Sequence, residues 1–256
     1  MKISADFRQR VLARDWVIGA FSNLGSSVTA EIAGLVGFDF LVLDHEHGPG
    51  GEETLLHQLQ AIGNTPTVPI VRIAANETTR FKRTLDLGAH GVMVPWVSTA
   101  AEARAAVTAL RYPPRGIRGV ARSHRGSTFG ADFDEYYLHA HEWLVTVAQI
   151  ETPEGVANCE EIAAVEGVDV VFVGPTDLSC NLGLRDQYDD PRFIKALEKV
   201  SAAAKKHGKA AGILLQYPKL DVKKCRELGY TFIMHGADGG ALRAGLLQYV
   251  AVLKQP

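Results

Sequence analysis

Two carboxylates in the middle of the chain stand where two short apolar runs end. The run 144–151 ends at Glu151, and the run 168–174 is followed three residues later by Asp177. Both patterns predict buried strands that lead into helices. If the two strands are neighbours, about 5 Å apart in a parallel sheet, the two side chains meet at one edge. Two carboxylates without nitrogen or sulfur donors suit a hard cation such as Mg²⁺ or Mn²⁺.

Other ionisable side chains follow other apolar runs. Arg72 lies in the third run, and its permanent charge could stabilise an enolate oxygen. His47 follows the second run and is the candidate for proton transfer, because imidazole titrates near neutral pH. His45 is expected to be structural or to support the site indirectly. Asp86 could orient His47 only if its helix end packs near the rim, for which a second subunit is one route.

The segment from Gly174 to Asp177 forms a predicted strand-to-helix turn, where free backbone N–H groups can bind an anion. A substrate carboxylate is the natural occupant. A 2-oxo acid could also chelate the cation, which would then act as a Lewis acid on the ketone. Each residue alone could be a structural polar group, but ionisable residues at so many strand ends favour catalysis.

The elements that must position these residues alternate regularly along the chain. Eight apolar runs predict strands, at 16–21, 38–44, 68–73, 91–95, 144–151, 168–174, 210–215 and 231–235. Segments with helical spacing follow them, at 27–36, 52–62, 77–87, 99–111, 154–165, 191–207, 218–228 and 238–253. Eight strand–helix units predict an α/β fold, a closed (β/α)₈ TIM barrel, with residues 1–256 as a single domain. A doubly wound open sheet is the alternative, but no Gly-x-Gly-x-x-Gly motif opens the first helix.

One connection, 111–126, is longer than the others and rich in Pro, Gly and Arg. Long loops in compact domains are often functional, but this one could equally be a surface loop or a subunit contact. Its position just before the fifth strand leaves both interpretations open.

Composition limits the classes of partner. The net charge of −2 gives no support for binding nucleic acid or an anionic membrane, so a small-molecule substrate is expected. No apolar run reaches the ~18 residues of a membrane helix, and the first residues lack the apolar core of a signal peptide. The three cysteines are widely spaced and suit a reducing compartment. A cytoplasmic location is expected.

Several motifs, in the same order along the chain, resemble the metal-dependent class II pyruvate aldolases. This family includes 2-dehydro-3-deoxyglucarate aldolase and 4-hydroxy-2-oxoheptane-1,7-dioate aldolase. The matching motifs are Gly-Phe-Asp-Phe at 37–40, Asp-x-Glu-His at 44–47, Val-Arg at 71–72, Arg-Tyr-Pro-Pro-x-Gly-Ile-Arg-Gly-Val at 111–120, Gln-Ile-Glu at 149–151, Gly-Val-Asp at 167–169 and Val-Gly-Pro-Thr-Asp-Leu at 173–178. The resemblance covers essentially the whole chain.

The resemblance implies a lyase that splits a 4-hydroxy-2-oxo acid, similar to 2-dehydro-3-deoxyglucarate, into pyruvate and an aldehyde. It implies that Glu151 and Asp177 bind the cation, Mg²⁺ or Mn²⁺ with Co²⁺ as an alternative, and that Gln149 lines the site. Arg72 would steady the enolate. His47 would move protons together with Asp86.

By the same resemblance, Gly174, Thr176 and Asp177 would hold the pyruvate carboxylate. The family is typically hexameric, so a homohexamer is expected. His45 is a departure, since relatives usually have glycine there.

Other reactions remain open. The same mechanism could act on 4-hydroxy-2-oxoheptanedioate or another hydroxy-oxo acid, or decarboxylate oxaloacetate. A Schiff-base aldolase needs a lysine near a strand end, and none is predicted there. A zinc hydrolase could use the His-x-His pair at 45 and 47. A non-catalytic binding protein for 2-oxo acids would not need a proton-transfer residue.

Overall fold

The computed structural model describes residues 2–255 and has eight parallel strands closed into a barrel in chain order. The predicted (β/α)₈ architecture is therefore confirmed, and each predicted strand overlaps an observed one. The strands are β1 (Val17–Ser22), β2 (Phe40–Asp44), β3 (Val68–Arg72), β4 (Gly91–Val94), β5 (Val145–Ile150), β6 (Val170–Val173), β7 (Ala210–Leu214) and β8 (Phe232–Ala237).

Helices surround the barrel and cover the outer face of the strands. They are α1 (Lys2–Leu12), α2 (Ser27–Leu35), α3 (Glu52–Ile62), α4 (Thr78–Asp86), α5 (Ala100–Leu110), α6 (Phe133–Trp143), α7 (Pro153–Ala157), α8 (Cys159–Ala163), α9 (Pro175–Asn181), α10 (Pro191–Lys206), α11 (Val222–Glu227) and α12 (Asp238–Leu253). Most of the strand residues are buried on both faces, as expected for a parallel sheet that packs inside a ring of helices.

Large aromatic side chains fill the inside of the barrel. The rings of Phe40 and Phe232 stack with centroids 4.0 Å apart. Phe172 meets Phe232 edge to face at 6.2 Å. A side chain at Gly19 would collide with the Phe40 ring at 2.5 Å, so β1 needs glycine at this point. The barrel is a packed core with its open space at one end.

Helix α1, which the sequence analysis did not predict, closes the N-terminal end of the barrel. Phe7 and Val11 are buried among the barrel side chains. The Arg8 guanidinium binds both oxygens of the buried Asp169, at 2.7 and 3.1 Å. These apolar and ionic contacts fasten the helix below β6.

Other differences from the predicted elements have local causes. The long connection continues into a 3₁₀ segment (Arg125–Gly130) and α6 before β5 begins. The predicted helix 154–165 divides at Asn158, whose amide donates to Ser98 O at 2.9 Å. The predicted helix 218–228 shortens to α11, because Asp221 caps its N-terminus by accepting from Lys224 N. Helix α9 is a further short helix that follows β6 directly.

Helix α12 has no buried residue in the protomer, although its sequence is mostly apolar. Exposed side chains include Leu246, Leu247 and Tyr249, with Leu253 at 84 % exposure. Val28 and Ile32 of the neighbouring α2 are exposed as well. Apolar surface of this extent is typical of protein–protein interfaces. Among the described residues, no helix has both the length and the apolar character needed to cross a membrane.

Candidate active site

A cavity of about 650 Å³ opens at the C-terminal ends of the strands. Seven of the eight strands contribute residues to its lining. From β1, β2, β3, β5, β6, β7 and β8 in turn, these include Phe21, Asp44, Arg72, Gln149, Phe172, Leu214 and His235. The predicted residues His47, Gly174, Thr176 and Asp177 line the same cavity. Parallel strands bring their carboxyl ends together, so residues far apart in sequence converge at this rim.

Glu151 follows β5 directly and is 1 % exposed. Its Oε1 accepts from Gln149 Nε2 at 2.7 Å, and its Oε2 accepts from Trp96 N at 2.9 Å. The pKa of Glu151 is raised to about 8, mainly by burial. The Trp96 N–H opposes this shift, and the negative charges of Asp177 and Glu46 contribute to it. The protein therefore holds a carboxylate where its charge is unfavourable without a compensating cation.

One buried oxygen acceptor next to Glu151 has no partner. Gln149 Oε1 makes no hydrogen bond among the described residues, whereas the buried Glu46 Oε2 forms an ion pair with Arg72 Nη1 at 3.1 Å. Buried acceptors without partners are rare in native proteins and call for an explanation such as a bound ion. Residues 2–255 contain no cluster of three or more His, Cys, Asp or Glu side chains with metal-ligand geometry. Any cation here would thus use few protein ligands, and water or substrate would complete its shell, as Mg²⁺ sites allow.

Arg72 and Asp44 form a bidentate ion pair across two neighbouring strands. They stand opposite each other in the β2–β3 register. Arg72 Nε and Nη2 donate to the two Asp44 oxygens at 3.0 and 2.7 Å, and the guanidinium lies 4.5 Å from the Phe21 ring centroid. Burial raises the pKa of Asp44, but the Arg72 contacts and two backbone donors outweigh it, so the net shift is downward. The sequence analysis did not assign a role to Asp44.

His47 and Glu46 lie on the loop after β2. Asp44 Oδ1 accepts from the backbone N–H groups of Glu46 and His47, at 3.1 and 3.2 Å, which folds the loop back over the strand end. Glu46 Oε2 lies 3.1 Å from Arg72 Nη1 and 3.7 Å from His47 Nε2. Burial is the main reason why the pKa of Glu46 is raised. The His47 side chain is 68 % exposed and can reach a substrate in the cavity.

Glu46 is the carboxylate nearest to His47 in this chain. From sequence, Asp44 and Glu46 are too close to His47 to face it within a regular strand, and only a loop permits the contact. Strand periodicity sends neighbouring side chains to opposite faces. Only the turn after Asp44 brings residues 46 and 47 to the same side. A side chain on Gly48 would approach Asp44 O to 2.2 Å, so glycine is required where this loop turns.

Asp86 does not line the cavity and is not brought to His47 within the protomer. It ends α4, where Arg118 Nη2 donates to its Oδ1 at 2.7 Å and His124 Nε2 lies 3.9 Å away. Arg118 is fully buried, with its guanidinium 4.4 Å from the Tyr112 ring centroid. The long connection thus folds around the end of α4. A role for Asp86 beside His47 stays a prediction that requires a second subunit.

His45 and His47 line different cavities. His45 Nε2 lies 3.2 Å from Oε1 of the buried Gln58, and its ring lines a separate small cavity of about 90 Å³ that His47 does not line. Burial lowers the pKa of His45, although the Gln58 contact opposes the shift. The histidines at 45 and 47 therefore do not form a joint zinc site in the protomer, and His45 anchors its loop to α3.

The turn after β6 approaches Glu151 closely. A side chain on Gly174 would lie 2.6 Å from Glu151 Oε1, so the backbone passes directly against the carboxylate. The Gly174 N–H donates to Ile150 O at 3.1 Å and is not available for a ligand. Helix α9 starts at Pro175, which has no N–H group, so Thr176 and Asp177 carry the first free backbone donors of the turn. Asn181 Nδ2 donates to Glu151 O at 2.8 Å and ties α9 to β5.

Comparisons with known proteins agree with this geometry. The family model described as HpcH/HpaI aldolase/citrate lyase matches residues 17–244. The 5-keto-4-deoxy-D-glucarate aldolase of Salmonella paratyphi C is 41 % identical over 249 residues, which are 97 % of this chain and 96 % of the relative.

Solved structures give the same result. An HpcH/HpaI aldolase/citrate lyase family protein from Burkholderia cenocepacia superposes with a TM-score of 0.92 at 34 % identity, covering 98 % of this chain and all of that one. An HpcH/HpaI aldolase from Desulfitobacterium hafniense has a TM-score of 0.88 at 29 % identity, with 97 % and 96 % covered. The predicted resemblance and the prediction of an aldolase-type lyase are confirmed. The chain belongs to the HpcH/HpaI aldolase/citrate lyase family.

Proposed function

We propose that the chain catalyses reversible aldol cleavage of a 4-hydroxy-2-oxo acid, with 5-keto-4-deoxy-D-glucarate as the leading substrate. The Salmonella relative is named for that compound. Numbered from its keto end, the compound is a 2-oxo-3-deoxy-4-hydroxy acid. Breaking its C3–C4 bond yields pyruvate and tartronate semialdehyde. The observation that carries the proposal is the convergence of Arg72, Asp177 and His47 on one cavity. The buried Glu151 accepts a hydrogen bond from Gln149, which lines the same cavity.

Glu151 and Asp177 are the proposed ligands of a divalent cation, Mg²⁺ or Mn²⁺ with Co²⁺ as an alternative. The donor set supports this proposal. The buried Glu151 feels the like charges of Asp177 and Glu46, and the neighbouring Gln149 Oε1 lacks a partner among the described residues. When bound, such a cation supplies a Lewis acid for the negative charge that develops on the ketone oxygen.

The chain's own residues would act around that charge. The Arg72 guanidinium, fixed by Asp44, would stabilise the C2 oxygen of the substrate as it becomes an enolate oxygen. The Thr176 and Asp177 N–H groups would bind the substrate carboxylate, while the absence of a side chain at Gly174 leaves room for the Glu151 carboxylate. The His47 imidazole would take the C4 hydroxyl proton as the C3–C4 bond breaks, which releases the aldehyde and leaves the enolate of pyruvate. A proton delivered to C3 of this enolate, from His47 or from water, then gives pyruvate, and the synthesis direction reverses both transfers. Asp86 from a second subunit would orient His47.

A homo-oligomer, with the hexamer favoured by family resemblance, completes the proposal. The uncovered apolar surface of α12 supports it, because a helix without a buried residue gains stability only against another surface. Action on small molecules in the cytoplasm is proposed from composition and cysteine usage.

The decisive experiment is aldol cleavage measured by pyruvate release before and after removal of divalent cations. Dialysis against a chelator should abolish activity, and Mg²⁺ or Mn²⁺ should restore it. Glu151→Gln should remain inactive at any metal concentration, whereas Glu154→Gln, an exposed carboxylate on α7, should behave as wild type. Full cleavage after chelation would contradict the metal role.

Two further assays separate the rivals. In the synthesis direction, tartronate semialdehyde should be a better pyruvate acceptor than succinate semialdehyde or glyceraldehyde. A better reaction with succinate semialdehyde would favour the heptanedioate-type substrate. Borohydride with pyruvate should trap no adduct, because the cavity is lined by no lysine among the described residues. A stable adduct would instead establish a Schiff-base enzyme.

A further inference from the structure

The residue that donates to Glu151 Oε2 has an unusual backbone. Trp96 has φ of +55°, in the left-handed region, and follows Pro95 just beyond β4. Positive φ normally requires glycine or asparagine, as at the third position of type II turns. No such turn is closed here, because Val97 N donates to Gln149 O. A tryptophan at positive φ carries a steric cost between its Cβ and the following carbonyl group. Backbone strain of this kind persists where the surrounding structure enforces it, and it clusters at functional sites.

The left-handed residue allows two consecutive N–H groups to face the same neighbour. Trp96 N donates to Glu151 Oε2 at 2.9 Å, and Val97 N donates to Gln149 O at 3.0 Å. In an extended strand, consecutive N–H groups point to opposite sides. The turn at Trp96 therefore frees one N–H group from the ladder and aims it at the carboxylate.

The hydrogen bond from Trp96 N holds the Glu151 carboxylate from a second side. Gln149 Nε2 already holds Oε1 at 2.7 Å, so both carboxylate oxygens have a donor that sets their position. Each oxygen keeps a lone pair for a cation. A backbone donor is also more rigid than a side chain, since its direction depends only on the chain conformation at residues 95 and 96.

We propose that the left-handed backbone of Trp96 is a positioning device for Glu151, which pre-orients this carboxylate for a divalent cation. The inference rests on the proposed function, because it assumes that Glu151 binds the cation. It assigns the role to the conformation of residue 96 and not to the indole, which is half exposed at the rim. Trp96 touches neither substrate nor cation in this scheme and acts through Glu151.

The test compares two substitutions that remove the indole equally but differ in backbone preference. Asparagine tolerates positive φ, whereas β-branched valine does not. We expect Mg²⁺ and Mn²⁺ dissociation constants, measured by calorimetry, to stay within about threefold of wild type in Trp96→Asn. In Trp96→Val they should rise roughly 5- to 30-fold, the equivalent of the left-handed cost.

Arg14 provides a matched control. It is exposed, has φ of +60°, and lies in the turn between α1 and β1, at the closed end of the barrel. Arg14→Val should lower the thermal midpoint relative to Arg14→Asn without changing metal affinity. Thermal midpoints of both Trp96 variants, measured without metal, report the stability of each variant separately from its metal affinity.

The outcomes separate the inference from the function on which it rests. Absence of metal binding in the wild type would overturn both. Equal affinities in wild type and Trp96→Val would overturn the inference alone, and a loss of stability without loss of affinity would assign Trp96 a structural role. Equally weak binding in the Asn and Val variants would implicate the indole and also overturn it. Rescue of affinity by asparagine supports the positioning role.

Discussion

Replacing Arg72 by alanine tests whether this arginine serves the reaction or only the fold. The change leaves Asp44, which is 5 % exposed, without its two guanidinium bonds. It also removes the positive charge of the guanidinium group next to Glu46 Oε2 and the contact of that group with the Phe21 ring. Both activity and stability should therefore fall, for different reasons.

The size of each effect follows from these contacts. Removing one partner of a buried ion pair lowers the free energy of unfolding by about 3–5 kcal/mol. Asp44 keeps two backbone donors, from Glu46 and His47, and borders the open cavity. We therefore expect a lower figure, about 2–3 kcal/mol. At about 2–4 °C per kcal/mol for a chain of this size, the thermal midpoint should fall by about 4–12 °C. Loss of a preorganised donor to an oxyanion should lower turnover about 10²- to 10³-fold.

A second substitution separates the two losses. Asp44→Asn added to Arg72→Ala removes the uncompensated charge and keeps a side-chain oxygen for the loop N–H groups. The double variant should regain most of the thermal midpoint, while pyruvate release stays at the level of Arg72→Ala. Measurements at one protein concentration and one metal concentration keep assembly and ligand effects constant. Arg192→Ala, which breaks an exposed pair with Asp190, should change neither quantity measurably.

Recovery of activity together with stability in the double variant would refute the reasoning. It would mean that Arg72 supports the fold around Asp44 and that another group stabilises the negative charge on the enolate oxygen. An unchanged midpoint in Arg72→Ala would likewise contradict the assigned strength of the Asp44 pair.

Two other predictions concern the turn and the outer helix. Gly174→Ala should weaken metal binding by at least about tenfold in calorimetry, because its Cβ would lie 2.6 Å from Glu151 Oε1, whereas Gly51→Ala, with open space around it, should bind as wild type. Wild-type affinity in Gly174→Ala would contradict the close approach. Leu246→Glu on α12 should shift the protein to smaller species in analytical ultracentrifugation, since it places a charge on a surface proposed to be covered. Arg243→Glu on the same helix, which also adds negative charge, should leave the assembly unchanged, and dissociation in both variants would point to net charge instead.

The barrel was predictable from sequence because its signals are periodic. Runs rich in Val, Ile and Phe mark every strand, and their ends locate the rim of the cavity. Helix α1 was missed although Phe7 and Val11, four residues apart, bear the spacing of a buried helix face. Helix α6 shows the same signal in Phe133, Tyr136 and Ala140. The connection before α6 is rich in proline and glycine, which favour a loop over a helix in this region.

The site was only partly predictable, because its details depend on register and loop geometry. Arg72 was placed in a predicted strand, and Asp44 ends the predicted strand 38–44, but their pairing requires the register between β2 and β3. Glu46 comes near Arg72 and His47 only through the turn after Asp44, and strand alternation does not predict such turns. The Trp96 contact depends on a backbone torsion angle that tryptophan rarely adopts. For α12 the helix itself was predictable, but no single chain determines which surface covers it.

The closed N-terminal end of the barrel has a kinetic consequence. Because α1 and the stacked phenylalanine rings fill that end, reactants and products enter and leave through the cavity opening at the C-terminal ends of the strands. The C2 oxygen of pyruvate is proposed to lie against the buried Arg72, whereas His47, proposed to act on the C4 hydroxyl of the aldehyde half, is 68 % exposed. We therefore expect the aldehyde to leave first and pyruvate last, so that in the reverse direction pyruvate enters before its acceptor. Steady-state inhibition patterns should show this compulsory order.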